Sequence, residues 1–266
     1  MLSRVDEIPQ INTRIPHSAR VYDYLLGGKD NFEADRIVAK AAIEAFPATA
    51  ESARANRTFL YRTVNYLVTE AGIRQFLDLG SGLPAASNVH EVAQATAPES
   101  RVVYVDNDPI VHAHARALLV SAREGATAYL HADLRDPEPV LEQAAKTLDF
   151  TQPVAVLLVG ILHFIPDSDD PAGIVKRLVD ALAPGSYLAI SQLAPDIDPV
   201  MTAGIRAMKE QGRDLGFVLR DRAQVTTFFD GLELVEPGVV HISAWRPRTE
   251  EEAQAPGTLW GGVARK

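Results

Sequence analysis

Between residues 75 and 191 the sequence keeps returning to one unit, a short apolar run followed by a stretch of helical period. The runs lie near 75–79, 102–105, 128–131, 154–159 and 186–191, and are dominated by Val, Leu, Ile and aromatic residues. Parallel strands need a crossover of a dozen or more residues between them, usually a helix, so this alternation predicts an α/β fold built on a mostly parallel sheet. Helix starts are marked by Asp108-Pro109, Asp136-Pro137 and Asp170-Pro171, each an acid at the N-cap followed by proline at the first helical position.

The first three runs end on carboxylates, at Asp78, Asp106 and Asp133. A parallel sheet binds ligands beyond the carboxyl ends of its strands, so the three acids are expected at one crevice. Gly80-Ser81-Gly82 follows the first strand, where glycine lets the backbone turn tightly and approach a ligand. Two ligand classes fit this turn. Gly80 to Ala85 satisfies the dinucleotide pattern G-x-G-x-x-A, and Asp106 stands 24 residues after Gly82, near the usual position of a ribose acid. An NAD(P)-dependent oxidoreductase is therefore a competing reading. Asp78 separates the two, because it would repel a pyrophosphate yet can accept from an ammonium.

S-Adenosylmethionine, whose sulfonium and ammonium outweigh its carboxylate, suits such a crevice. Asp78 is expected to meet the methionyl ammonium and Asp106 both ribose hydroxyls. Asp133 would accept from the adenine amine, with the Leu134 N–H free for a ring nitrogen. Asp108 and Asp136 take the capping positions, which leaves Asp106 and Asp133 for ligand. A third reading keeps the binding and drops the turnover, making the chain a noncatalytic S-adenosylmethionine binder.

The segment before the alternation is helical in period, over Ser18–Leu26, Asn31–Phe46 and Glu51–Ala71, with residues 1 to about 15 a loose arm. The expected division is a helical cover over 1–72 and a sheet domain over 73–266. Tyr22 and Tyr24 cannot face the same way on one helix, but either ring could lie near the sulfonium. Lys29 and Asn31, after Gly27-Gly28, could close over the methionine carboxylate or form an exposed helix start, and Arg54 and Arg57 could reach the same carboxylate or an acidic acceptor, or lie on a solvated face. His163, just past the fourth strand, is the one candidate general base, against an equal reading as a structural imidazole. Helices near 199–212 and 221–229 come later, then two apolar runs, 232–235 and 258–264, expected to pair as a hairpin with 249–256 as its loop.

The formal net charge of -9 makes a nucleic-acid partner unlikely on physical grounds, since phosphate neutralisation supplies most of that affinity. There is no cysteine, hence no disulfide or thiolate metal site. His112 and His114 stand two apart, which sends them to different faces of a helix, and His90-Glu91 lacks a partner histidine, so no metal is expected. Neither a signal segment nor an eighteen-residue apolar stretch is found, and the reading is a cytoplasmic protein with no membrane partner.

Over residues 74–266 the chain resembles the class I S-adenosylmethionine-dependent methyltransferases. Phe76 to Gly82 is similar to their first motif, Val105-Asp106 to the second, Ala132-Asp133-Leu134 to the third and Val156 to His163 to the fourth, while Leu182 to Leu188 is similar to the turn entering their fifth strand. The resemblance implies that Ser81, Asn107, Gly160 and Ile161 line the cofactor pocket too. Ala19 to Phe32, Asp35-Arg36, Arg54 to Arg57, Gly82-Leu-Pro84 and Asn88 to Val92 resemble, more narrowly, a bacterial family of methyltransferases once grouped as a domain of unknown function. That implies a Rossmann-like seven-stranded sheet of order 3-2-1-4-5-7-6, helices on both faces and a helical cover at the cofactor mouth; it does not imply an acceptor, and the leading reading is a small molecule of unspecified identity. Pro84 stands where the common first motif has glycine, and reads as a rigid helix start.

Overall fold

The chain is described by a computed structural model over residues 12–85, 87–111, 113, 121–213 and 215–266. All five apolar runs are parallel strands: β1 (Gln75–Leu79), β2 (Arg101–Asp106), β3 (Ala126–His131), β4 (Ala155–Val159) and β5 (Tyr187–Leu193). Two short strands, β6 (Glu233–Leu234) and β7 (Val240–His241), both pair antiparallel with the last strand, β8 (Leu259–Arg265), which itself runs antiparallel to β5. The order β3-β2-β1-β4-β5-β8-β6 is the expected one, with the final strand renumbered by the extra two-residue β7. Residues 249–256 are more than a loop, since Glu250–Gln254 is helical and the Thr249 side chain accepts from the Glu252 N–H.

Both faces of the sheet are covered, and the strand residues alternate between them. Leu77, Leu79, Val103, Val105, Val156 and Leu158 pack toward the helices Pro137–Ala144 and Pro171–Asp180. Phe76, Val102, Tyr104 and Leu157 face the other way, toward α3 (Thr49–Thr69) and α4 (Val89–Thr96). Phe59 of α3 is fully buried with its ring edge-on to Trp245 at 5.6 Å, so Phe59→Ala would cost about 3–5 kcal/mol. Register sets the site: Leu79 lies beside Val105 and Asp106 beside His131, so the strand ends reach one edge together.

The first two helices, α1 (Ser18–Leu25) and α2 (Glu33–Ala45), sit beyond that edge. An ion cluster ties them to it. Buried Arg20 reaches Asp35 of α2 at 3.6 Å and Asp108, just past β2, at 3.3 Å, and His17 stands 3.2 Å from the same Asp108. The helix Pro199–Glu210 packs on α2 at Gly204, where a Cβ would come within 2.9 Å of the Ala45 carbonyl oxygen.

Of the proline-marked helix starts, Asp170 accepts from the Gly173 N–H and Asp108 from the Ile110 N–H. Asp136 does not cap. Its ψ of 78° lies outside the extended region typical of an N-cap, and its side chain makes no cap hydrogen bond. His112, His114 and the first eleven residues lie outside the described residues. Among the described residues, no helix is long and apolar enough to cross a membrane.

Candidate functional site

Beyond the β1–β5 edge lies a cavity of about 440 Å³, lined by the strand ends, the first three helices and the segment from Met201 to Phe217. Gly80 and Gly82 form its floor with φ of 71° and 65°, a conformation only glycine adopts without strain. A Cβ on Gly80 would collide with the Ile161 side chain at 2.5 Å, whereas one on Gly82 would meet nothing within 4 Å. The turn is held from below: the Gly80 N–H donates to Val105 O and the Gly82 N–H to Asp106 Oδ2 at 2.8 Å.

Asp106 is thus not idle, as its other oxygen accepts from the Asp108 N–H at 2.9 Å. Each oxygen keeps a lone pair for a ligand. Burial raises its pKa, and those two N–H groups oppose the rise. Asp78 is 6% exposed and lines the cavity, and among the described residues none donates a hydrogen bond to its carboxylate. Burial pushes its pKa up to about 7, with Arg57 opposing and the Asp106 charge adding.

Asp133, Leu134 and Asn107 also line the cavity, as do Ser81, Gly160 and Ile161. Asp133 is already engaged: Arg135 grips both its oxygens, at 3.0 and 2.5 Å, and reaches on to Asp169. Those hydrogen bonds hold the Asp133 carboxyl below the usual range. Tyr22 lines the cavity and Tyr24 does not, although Tyr24 packs with Val21 and Val38, which do. The Tyr22 hydroxyl donates to Ala53 O at 2.9 Å and accepts from Asn56 Nδ2, while Asn56 Oδ1 accepts from Ser191 on β5.

The cations divide likewise. Arg57 lines the cavity; Arg54 pairs with Glu51, exposed. Lys29 is exposed and outside the cavity, because it falls past the end of α1. Asn31 is buried, donating to Asp23 and Gly28 O, which occupies it in the α1–α2 connection.

His163 sits on a turn of 3-10 helix, Leu162–Phe164, directly after β4 and lines the cavity at 6% exposure. No described residue hydrogen-bonds its ring, and its Nδ1 is fully buried. Burial, helped by nearby Arg220, pushes its pKa down to about 3. His90, by contrast, is tied to the Tyr104 hydroxyl at 2.8 Å.

Sequence reasoning missed the wall formed by Met201, Ile205, Met208, Leu215 and Phe217, and the Asn56–Ser191 link. The helix was readable, but what its apolar face would meet was not. Only Gly204, small in the middle of an otherwise good helix, signalled a close helix crossing.

Residues 5–266 match the model of a family described as S-adenosyl methyltransferase. Among solved structures the chain is similar to a DUF574 family protein from Streptomyces avermitilis, 46% identical, with 96% of this chain and 98% of that one covered and a TM-score of 0.91. It is also similar to a candidate methyltransferase from Thermobifida fusca, 43% identical, with 98% and 99% covered and a TM-score of 0.88. A magnesium protoporphyrin IX methyltransferase from Synechocystis, solved with bound S-adenosylhomocysteine, shares the fold at 13% identity, a TM-score of 0.51 and coverage of 92% and 90%. No curated protein matches the chain.

Proposed function

Since this chain belongs to the S-adenosyl methyltransferase family, we propose that it moves the methyl group of S-adenosylmethionine to a small-molecule acceptor held in the same cavity. The family makes it an S-adenosylmethionine-dependent methyltransferase and sets aside the nicotinamide reading. The supporting observation is Asp78: a buried carboxylate with no hydrogen-bond donor among the described residues, opening on the cavity at the head of a glycine turn. A buried carboxylate left so is costly, and an ammonium placed against it removes the cost.

The residues present fit the cofactor. The lone pairs remaining on Asp106 suit two ribose hydroxyls, and the open space above Gly82 lets backbone approach the ligand. Asp133 and the Leu134 N–H are assigned to adenine. Asp133 can accept the amine while held by Arg135, since a carboxylate offers about four lone-pair sites. Arg57, beside Asp78, takes the role first given to Lys29, that of meeting the methionine carboxylate. Tyr22 turns a ring edge of α1 to the same space, its hydroxyl already bonded.

Bound there, S-adenosylmethionine would supply a methyl group on sulfonium, whose carbon–sulfur bond would break with its electron pair left on sulfur as the acceptor forms its new bond to carbon and gives up one proton. The protein's part is alignment and exclusion of water. The described part of the 1–72 segment, residues 12–72, is read as the cover that excludes it, joined by the Pro199–Glu210 helix.

Calorimetric titration with S-adenosylhomocysteine and with NAD tests the binding half, with affinity expected for the first alone. Incubation with isotopically labelled methyl donor and a metabolite extract tests the transfer, read by mass spectrometry as a labelled product one methylene heavier. A protein that binds S-adenosylhomocysteine and labels nothing would instead be the noncatalytic binder.

A further inference from the structure

The lining of the cavity changes character along the strand order. Its charged side chains stand over β1, β2 and β3 or on α3: Asp78, Asp106, Asp133, Arg135 and Arg57. The side toward β4 and β5 is closed by α2, the Pro199–Glu210 helix and the segment after it, and among the described residues these contribute no charged side chain to the lining. Phe46, Met201, Ile205, Met208 and Phe217 make that wall. Asn56 and Ser52 also line this side but are engaged, Asn56 with Tyr22 and Ser191 and Ser52 with Thr258, which leaves His163 as its unengaged polar group among the described residues. The His163 ring lies 4.5 Å from that of Phe164 and 5.5 Å from that of Phe217, and no described residue bonds either nitrogen. The low pKa keeps this imidazole neutral, so one of its nitrogens is an acceptor with nothing to accept.

We infer that this chamber takes an uncharged aromatic or alicyclic acceptor bearing a hydroxyl, and that the hydroxyl donates its hydrogen bond to His163. The inference rests on the methyl-transfer reading for the fate of the hydroxyl, and on the chamber alone for its selectivity. A carboxylate or ammonium entering would leave water for a wall without a counter-charge. Arg220 cannot serve as one. Its guanidinium donates to Leu162 O, Ile165 O and Asp167. An amine acceptor is disfavoured because it arrives as an ammonium, whose proton an imidazole of such low pKa does not take and whose charge the wall does not offset. The oxonium formed on methylating a hydroxyl is a far stronger acid than the imidazolium, so its proton passes to an imidazole nitrogen as the carbon–oxygen bond forms, and from there to water.

Equilibrium dialysis of 2-naphthol, naphthalene and 2-naphthoate, with and without saturating S-adenosylhomocysteine, tests the chamber. The intact protein should bind 2-naphthol about tenfold or more tighter than 2-naphthoate, and measurably tighter than naphthalene. His163→Phe should erase the preference for naphthol over naphthalene while its affinity for S-adenosylhomocysteine, which also reports folding, stays within about twofold of wild type. Ile205→Lys, placing a cation in the wall, should turn the preference toward 2-naphthoate. Equal binding of naphthol and naphthoate, or an unchanged naphthol preference in His163→Phe, overturns the inference. Failure of the wild-type protein to bind S-adenosylhomocysteine would bring down the methyl-transfer reading instead, and the naphthol to naphthoate ratio without it would still decide the chamber.

Discussion

The two halves of the cavity achieve burial in opposite ways. Over β1, β2 and β3, carboxylates are held by backbone N–H groups or by Arg135, and among the described residues Asp78 accepts no hydrogen bond. Under α2 and the Pro199–Glu210 helix the wall is hydrocarbon and thioether, with one neutral imidazole. One half is organised around a charge that arrives with the ligand, the other around its exclusion. The contrast shows in titration: burial drives the Asp78 pKa up to about 7 and the His163 pKa down to about 3, so each group rests uncharged below neutrality.

The sharpest way to break this contrast is Asp106→Asn. Losing the charge, and with it one of the two oxygens that accept from the Gly82 and Asp108 N–H groups, should weaken S-adenosylhomocysteine binding by about 1.5–3 kcal/mol in calorimetry. Binding of 2-naphthol should not change, and equal losses for both ligands would merge the two halves into one. Asp106→Ala is a poorer probe, since it strips both acceptors from the Gly82 and Asp108 N–H groups and so cannot leave the turn untouched.

Ligand-free stability against pH separates the halves next, by His163→Phe. The unfolded chain takes up a proton between pH 6.5 and about 3 that the folded imidazole refuses, so this group's contribution is lost as pH falls through that window. The wild-type protein should lose up to ~2 kcal/mol by pH 5 that the variant keeps, measured by urea unfolding. Parallel curves would mean that the imidazole is not buried neutral.

Asp78→Asn has the opposite sign, with an effect of ~1–2 kcal/mol at pH 5 that grows to about 4 kcal/mol above pH 7. Here the folded carboxyl retains a proton that the unfolded chain releases between about pH 4 and 7, so its ionisation costs stability progressively up to pH 7 and fully above. The variant should outlast wild type at pH 8 and match it near pH 4, while binding S-adenosylhomocysteine about tenfold less tightly. Ile205→Ala should have the smallest effect, costing ~0.5–1 kcal/mol and loosening 2-naphthol alone.

How much could be read without coordinates follows the same division. The strand ends carrying Asp78, Asp106 and Asp133 were legible because a parallel sheet leaves its carboxyl ends only one place to go, and the strands fall within two residues of where the apolar runs put them. Tyr22 was legible as one of two mutually exclusive faces. Arg135, two residues from Asp133, was not, because nothing in a sequence says which way a long side chain folds back. Lys29 failed for a related reason: its rotation about the helix axis is undefined once α1 has ended. The apolar wall stayed hidden because it joins α2 to a helix about 160 residues away in sequence, and periodicity identifies a face without its partner.

The crossing at Gly204 gives that wall an adjustable spacing. With Ala45 O only 2.9 Å from where a first side-chain carbon would stand, the two helices touch backbone to backbone, and any substitution must prise them apart. Acceptor size would then be tuned by the spacing of two helices rather than by a side chain projecting into the chamber. A family diversifying its products could lengthen one residue there and admit a broader ring system, without altering a single group that grips the methyl donor.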